Sequence, residues 1–298
     1  MPDLIPTLRT AVNTWQCDEN DHLNVQFYTG FADEAVEHLL AALELGPSLR
    51  RAGGIVARPC EDHIRYHREF RVIDGVAAHS APSSATATTL DTWHRITRIA
   101  DGALAATVRR RLQIEPALPE HARACALAGA LPPMPEALPR GLGKPGILRP
   151  RDLAGAVADG LIEANRTVIQ PAECNADGEL APRFVIARCS DSAPILWDHL
   201  GFDRSAMQQR GEGSIVVEMR VEYLRPARAG TLLVVRSGLG AFTDKTVTLM
   251  HYLFDGETGE PVVRAEGLGM KFDQTRRKIM AFSADDLARL EDMVVGRR

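Results

Sequence analysis

A pattern that occurs twice constrains this chain more than any other feature. Residues 15–28 read Trp-Gln-Cys-Asp-Glu-Asn-Asp-His-Leu-Asn-Val-Gln-Phe-Tyr. Within it Asp18 aligns with Asn175, an offset of 157 (175 − 18). At the same offset Asp21 meets Gly178, His22 meets Glu179, Leu23 meets Leu180 and Phe27 meets Phe184. A period this long is a whole domain rather than a solenoid repeat, so the chain reads as a duplication. Its 298 residues suffice for two domains of ordinary size.

Each copy carries the same succession of signals. In the first, Arg9 to Thr14 reads as a strand. Val25 to Leu45 reads as a long helix, because Phe27, Phe31, Ala35, Leu39 and Ala42 recur at spacings of three and four. Four strand signals follow: Ile55 to Phe70, a weaker Ala77 to Leu90 broken by Pro82, Trp93 to Ile99, and Leu104 to Ile114. Asp101-Gly102 joins the last two as a hairpin. In the second copy, Arg166 to Pro171 is a strand, residues 173–180 are a polar turn, and Arg183 to Leu200 has helical spacing. Strands are expected over 214–224, 231–239, 245–254 and 261–272, then a helix from Ala284 to Val295 capped by Ser283.

Between the copies, residues 116–150 are rich in proline and glycine and read as a linker, with a short helix over His121 to Ala130. A further helix is expected from Asp152 to Asn165, capped by Asp152, with Leu153, Val157 and Leu161 on one face. These signals give an α+β chain with domains at 1–115 and 151–298.

An apolar content of 45% with 25% charged residues places the chain among ordinary globular proteins. A formal net charge of −4 argues against a nucleic-acid partner, which would require a basic face. Neither a signal segment nor an apolar run of about 20 residues is present, which argues against a membrane. The cysteines Cys17, Cys60, Cys125, Cys174 and Cys189 are odd in number and scattered. This fits a reducing cytoplasm rather than a disulfide framework.

The polar cluster before the first helix is the strongest chemical signal. A helix start presents free N–H groups and the positive end of its dipole, which can hold a developing oxyanion. Asp18-x-x-Asp21-His22-x-Asn24-x-x-x-Tyr28 resembles the motif of the hotdog-fold acyl-CoA thioesterases of the 4-hydroxybenzoyl-CoA thioesterase type, with Asp21 in place of the usual glycine. The resemblance implies two tandem hotdog domains, each a curved antiparallel sheet wrapped around a long central helix. It also implies hydrolysis of an acyl-CoA thioester to acid and thiol. Asp18 would be base or nucleophile, the Val25 amide the oxyanion donor, and His22 a supporting catalytic group. Asn24, Tyr28 and Asp21 would line the substrate site. It implies no metal and no cofactor beyond the CoA of the substrate, and is compatible with homo-oligomers of the tandem unit.

The residues themselves leave alternatives open. Asp18 could cap a turn, Asn24 could be the helix N-cap, and Tyr28 could be a core ring. In the second copy Asn175 replaces Asp18 and Glu179 replaces His22, while Gly178 is retained; Asp191 on the second helix is an alternative acid. A hydratase or dehydratase of acyl thioesters on the same fold, and a non-catalytic acyl-CoA-binding protein, remain as rival readings. Cys60-x-x-His63-x-x-x-His67 has metal-like spacing, but on a strand the two histidines lie ~13 Å apart, too far for one zinc ion. Arg109, Arg110 and Arg111 read as a solvated face, or with Arg225 and Arg228 as contacts for CoA phosphates.

Overall fold

The computed structural model describes residues 4–18, 21–118, 122–130, 134–143 and 148–296. The chain divides into two compact units, Met1–Pro139 and Arg140–Arg298. The first contains β1 (Ile5–Ala11), α1 (Val25–Ala42), α2 (Pro47–Gly53), β2 (Val56–Tyr66), β3 (Gly75–Ala85), β4 (Thr89–Arg98), β5 (Leu104–Glu115) and α3 (Ala122–Ala130). Its sheet runs β1-β3-β4-β5-β2, and every pairing is antiparallel.

The apolar stripe of α1 lies along this sheet. Phe27, Phe31, Ala35, Val36, Leu39 and Leu40 are buried, and the lower half of the helix packs on Leu90, Leu112 and Ile114. Alanine at positions 32 and 35, both fully buried, lets the helix approach the strands closely. Asn24 accepts from the Gln26 N–H and caps the helix. Pro82 does not end β3. The register shifts between Pro82 and Ser84, and such an irregularity accommodates a residue without an N–H.

The second unit contains α4 (Leu153–Ala158), β6 (Ile162–Val168), α5 (Pro182–His199), α6 (Arg204–Gln209), β7 (Glu212–Tyr223), β8 (Leu232–Phe242), β9 (Val247–Asp255), β10 (Pro261–Asp273), β11 (Lys278–Met280) and α7 (Ala284–Met293). Its sheet runs β7-β10-β9-β8-β6, with β11 added to β10. Leu196, Trp197 and Leu200 of α5 pack on Leu239, Val247 and Leu249. Each unit is therefore one long helix on an antiparallel sheet, the hotdog arrangement.

The duplication reaches individual hydrogen bonds. Ser80 Oγ meets His94 Nδ1 at 2.8 Å, and 157 residues later Ser237 Oγ meets His251 Nδ1 at 2.8 Å. The Thr86–Thr89 hydroxyl pair, also 2.8 Å, recurs as Thr243–Thr246.

One expectation is corrected. The helix foreseen from Asp152 to Asn165 is only the six residues of α4. Gly160, at φ 86°, turns the chain, and Ile162 to Val168 then pair with β8 as a strand. Val157 is half exposed rather than on a buried face. The described parts of the proline-rich stretch are held by hydrogen bonds within each unit. Arg65 donates to the carbonyls of Glu136 and Leu138. The Glu218 carboxylate accepts the N–H groups of Arg140, Gly141 and Leu142. A β-carbon on Gly141 would fall 2.7 Å from the Leu268 Cδ2, so any larger residue there would have to push that side chain aside. His121 lies outside the described residues. Among those described, no helix is long and apolar enough to cross a membrane.

Candidate active site

Between β1 and α1 the described residues 12–18 and 21–24 are drawn together by backbone hydrogen bonds. The Asp18 N–H donates to the His22 carbonyl at 2.8 Å, and the Asp21 N–H to the Asp18 carbonyl at 3.1 Å. The His22 N–H donates to Asp18 Oδ1 at 3.3 Å. The loop is fastened below by Leu23 N–H to Phe70 O, 2.9 Å, and by Asn24 N–H to Gln16 O, 2.9 Å. Turning so tightly requires a left-handed residue. Asp21 takes it at φ 61°, where the second copy has Gly178 at φ 75°. The exposed Asp21 thus fills a glycine position conformationally, which short polar residues tolerate.

Asp18 is half-buried at the mouth of this loop. Val25 is the first residue of α1, so its N–H has no acceptor within the helix. The loop thereby brings a carboxylate and a helix-start amide into one short segment. Burial first, and then the charges of Asp21 and Asp18, raise the Cys17 thiol. Cys17 is therefore held as a thiol, ill suited to nucleophilic attack.

His22 reaches outward from the loop to two residues that follow β2. Its Nε2 lies 3.4 Å from Glu69 Oε2 and 3.4 Å from an Arg71 Nη. Tyr28 holds that segment in place. Its hydroxyl accepts from the Phe70 N–H at 3.1 Å and donates to the Arg68 carbonyl at 3.4 Å. Burial pushes the Tyr28 hydroxyl pKa up. The ring stacks on Phe70 and meets Tyr66 edge-on. Tyr28 is thus core with an engaged hydroxyl, and Asn24 is a cap, both alternatives the residues had left open.

The second copy repeats the frame and changes the chemistry. Asn175 N–H to Glu179 O is 2.8 Å and Leu180 N–H to Ala227 O is 2.8 Å, each 157 residues from its counterpart. The Asn175 side-chain oxygen accepts from both Asp177 and Glu179 N–H groups at 3.0 Å. The buried Glu179 pairs with Arg228 at 3.5 Å, the equivalent of His22 with Arg71. Arg188 stands where Phe31 is core in the first unit, and reaches Glu173 at 2.6 Å. Asp191 is exposed on α5. Desolvation raises its carboxyl, Arg188 opposes this and Glu173 adds to it, and solvent screens the result.

Glu69 and Arg71 were not singled out from the sequence, though a signal existed, since Arg71 and Arg228 obey the same offset of 157 (228 − 71). Arg110 corrects the solvated-face expectation. It is buried, bidentate to the fully buried Asp62 at 2.7 Å and paired with Asp33 of α1 at 2.7 Å. Its neighbours behave differently: Arg111 pairs with Asp91, and Arg109 lies over the Trp93 ring.

Comparison with known proteins agrees with this architecture. A Lactobacillus plantarum protein assigned as an oleoyl thioesterase superposes with TM-score 0.65 at 13% identity, covering 90% of this chain and 97% of that one. An acyl-ACP thioesterase from Bacteroides thetaiotaomicron gives 0.62 at 8% identity, covering 88% and 96%. A 12:0-ACP thioesterase from Umbellularia californica gives 0.63 at 11%, covering 89% and 93%. At these identities the likeness is one of fold, across both units. Comparison with curated protein sequences returns no match. A model of the thioesterase-like superfamily matches residues 12–115 and 169–290, one segment in each unit and together well over half of the chain. On that match, the chain belongs to the thioesterase-like superfamily.

Proposed function

We propose that this protein hydrolyses the thioester bond of an acyl-CoA to a free acid and a thiol, and that the loop of the first unit carries the chemistry. Family membership supports thioester hydrolysis as the reaction class. One observation carries the choice of unit. The turn oxygen supplied by a carboxylate in Asp18 is supplied in the second copy by an amide, Asn175, which cannot take up a proton from water and already accepts two N–H groups of its own turn.

In this reading the Asp18 carboxylate removes a proton from water as the water attacks the carbonyl carbon, or attacks that carbon itself to give an anhydride that water then opens. Negative charge gathers on the carbonyl oxygen and is met by the Val25 N–H, a type of contact typically worth ~10²–10³ in rate. His22, between Glu69 and Arg71, supports the loop and can return a proton to the departing thiolate.

The test is thiol release from panels of acyl-CoA and acyl-ACP substrates, comparing wild type with Asp18→Asn. The second copy shows that this turn accepts asparagine, so the variant is expected to fold. Its kcat should fall by ~10²-fold or more, the usual weight of a general base. Undiminished turnover would remove Asp18 from the mechanism. Failure of wild type on every thioester would retire the reaction class.

A further inference from the structure

The two most exposed large apolar side chains among the described residues stand on one patch of the first unit. Trp15 is 78% exposed and Ile73 is 86% exposed, against 58% for Leu49, the next in order. Backbone bonds bring their segments together. The Ile73 N–H donates to the Val12 carbonyl at 3.0 Å and the Val12 N–H to the Asp74 carbonyl at 2.9 Å. The Cys17 sulfur is hydrogen-bonded to the Val72 backbone. Ile73 also stands at φ 70°. A β-branched residue is a genuine outlier in that left-handed region, and such outliers gather at functional sites. Exposed as it is, Ile73 offsets none of this strain by packing within the fold.

The duplicate shows that the fold requires neither side chain. At the offset of 157, Trp15 corresponds to Ala172 and Ile73 to Gly230. The backbone there is the same. Gly230 N–H to Ile169 O is 2.9 Å, Ile169 N–H to Thr231 O is 3.0 Å, and Gly230 has φ 90°. Glycine takes that conformation without steric penalty. The first unit thus carries two large apolar groups, facing solvent, where an alanine and a well-suited glycine serve the same frame.

Position and surroundings indicate what covers them. Trp15 lies three residues before Asp18, so their Cα atoms are within ~10 Å by chain reach. Residues 12–24 and 68–74 carry the carboxylates Asp18, Glu19, Asp21, Glu69 and Asp74 against the guanidiniums of Arg68 and Arg71. Arg98 of β4 adds a third cation, 3.8 Å from Asp74. An acidic rim of this kind disfavours an anionic lipid surface, an acidic carrier, or a second copy apposing the same patch. A tryptophan and an isoleucine expose on the order of 300 Å², far short of the ~1,200–2,000 Å² of a stable protein interface. That area matches roughly eight to ten methylenes.

We propose that Trp15 and Ile73 are the surface on which the acyl chain of the thioester lies, so that the substrate carries a linear apolar acyl group of medium length or longer. This rests on the hydrolase reading, which places the reacting carbonyl beside Asp18.

The test is calorimetric titration of the full chain with S-alkyl-CoA thioethers from ethyl to decyl, which resemble the substrate but cannot be hydrolysed. Affinity should rise about twofold per added methylene, the effect of covering one side of the chain. Trp15→Ala should weaken S-decyl-CoA about tenfold and Ile73→Gly several-fold, with S-ethyl-CoA unchanged in both. Leu49→Ala, on α2 beyond the other end of α1, should change neither ligand. Ile73→Gly should at the same time raise the urea midpoint, because glycine suits φ 70°, so its loss of affinity is not that of a damaged fold. Wild-type affinity indifferent to chain length, or a chain-length dependence untouched by both variants, would overturn the proposal. So would self-association that Trp15→Ala abolishes and S-decyl-CoA does not disturb, which would make a second copy the occupant. Tight binding of S-decyl-CoA through Trp15 with no thiol released from decanoyl-CoA would fail the hydrolase reading and keep this one. Thiol release with no dependence on chain length would do the reverse.

Discussion

Asp21 shows how a single residue can depart from a motif and keep its geometry. It stands where the resembled motif has glycine, and its backbone nonetheless enters the left-handed region at φ 61°. Such a conformation costs an L-residue ~1–2 kcal/mol, less for aspartate, whose side chain bonds locally. We therefore expect Asp21→Gly to raise stability by up to ~1 kcal/mol, read as an increase in the denaturant midpoint. A fall in that midpoint would mean that the Asp21 carboxylate holds the loop in a way its backbone does not reveal. The sequence could flag this position because the motif names it. It could not foresee that Asn24 would be taken up by capping and Tyr28 by the Arg68–Phe70 backbone, since both partners of Tyr28 lie some forty residues away.

At the level of elements, periodicity marked the two long helices and most strands, because each presents one apolar face to one core. It overran at residues 159–165, where an apolar spacing of four continued past a glycine that ends the helix. It also missed α2 and α6, whose seven and six residues are too short to show a period. The sheets carry a testable pH response. Burial depresses His94 to about 3, with Arg110 adding to the effect, and depresses His251 to about 4. Both are neutral in the fold, bonded to Ser80 and Ser237. Their unfolded forms bind protons below the ordinary value of 6.5. Stability contributed by the neutral histidines is thus complete above that value and is lost as pH falls towards 4. Each should remove ~1.4 kcal/mol per pH unit in that window. Urea titrations between pH 4.5 and 7 should show this slope, and His251→Gln should lessen it by about one proton. An unchanged slope in that variant would mean that His251 is protonated in the fold.

Across the whole chain, the duplication was legible from a handful of side chains and is confirmed by backbone bonds 157 residues apart in both loops. The candidate site was half legible. Its loop is contiguous in sequence, but Glu69 and Arg71 arrive from the far side of β2.

The loop of the second unit is not simply the first with one atom changed. Asn175 stands for Asp18, Glu179 for His22, and Pro226 occupies the position of Glu69 (226 − 69 = 157). Asn175→Asp alone should therefore leave a protein carrying Asp18→Asn as slow as before, measured by thiol release. Recovered turnover would show that the second loop had kept its competence. A descendant seeking to revive that loop would have to retrace three replacements, with Arg228 already committed to Glu179. Divergence between the copies works as a ratchet: the spare scaffold persists, but it insures nothing against loss of the first.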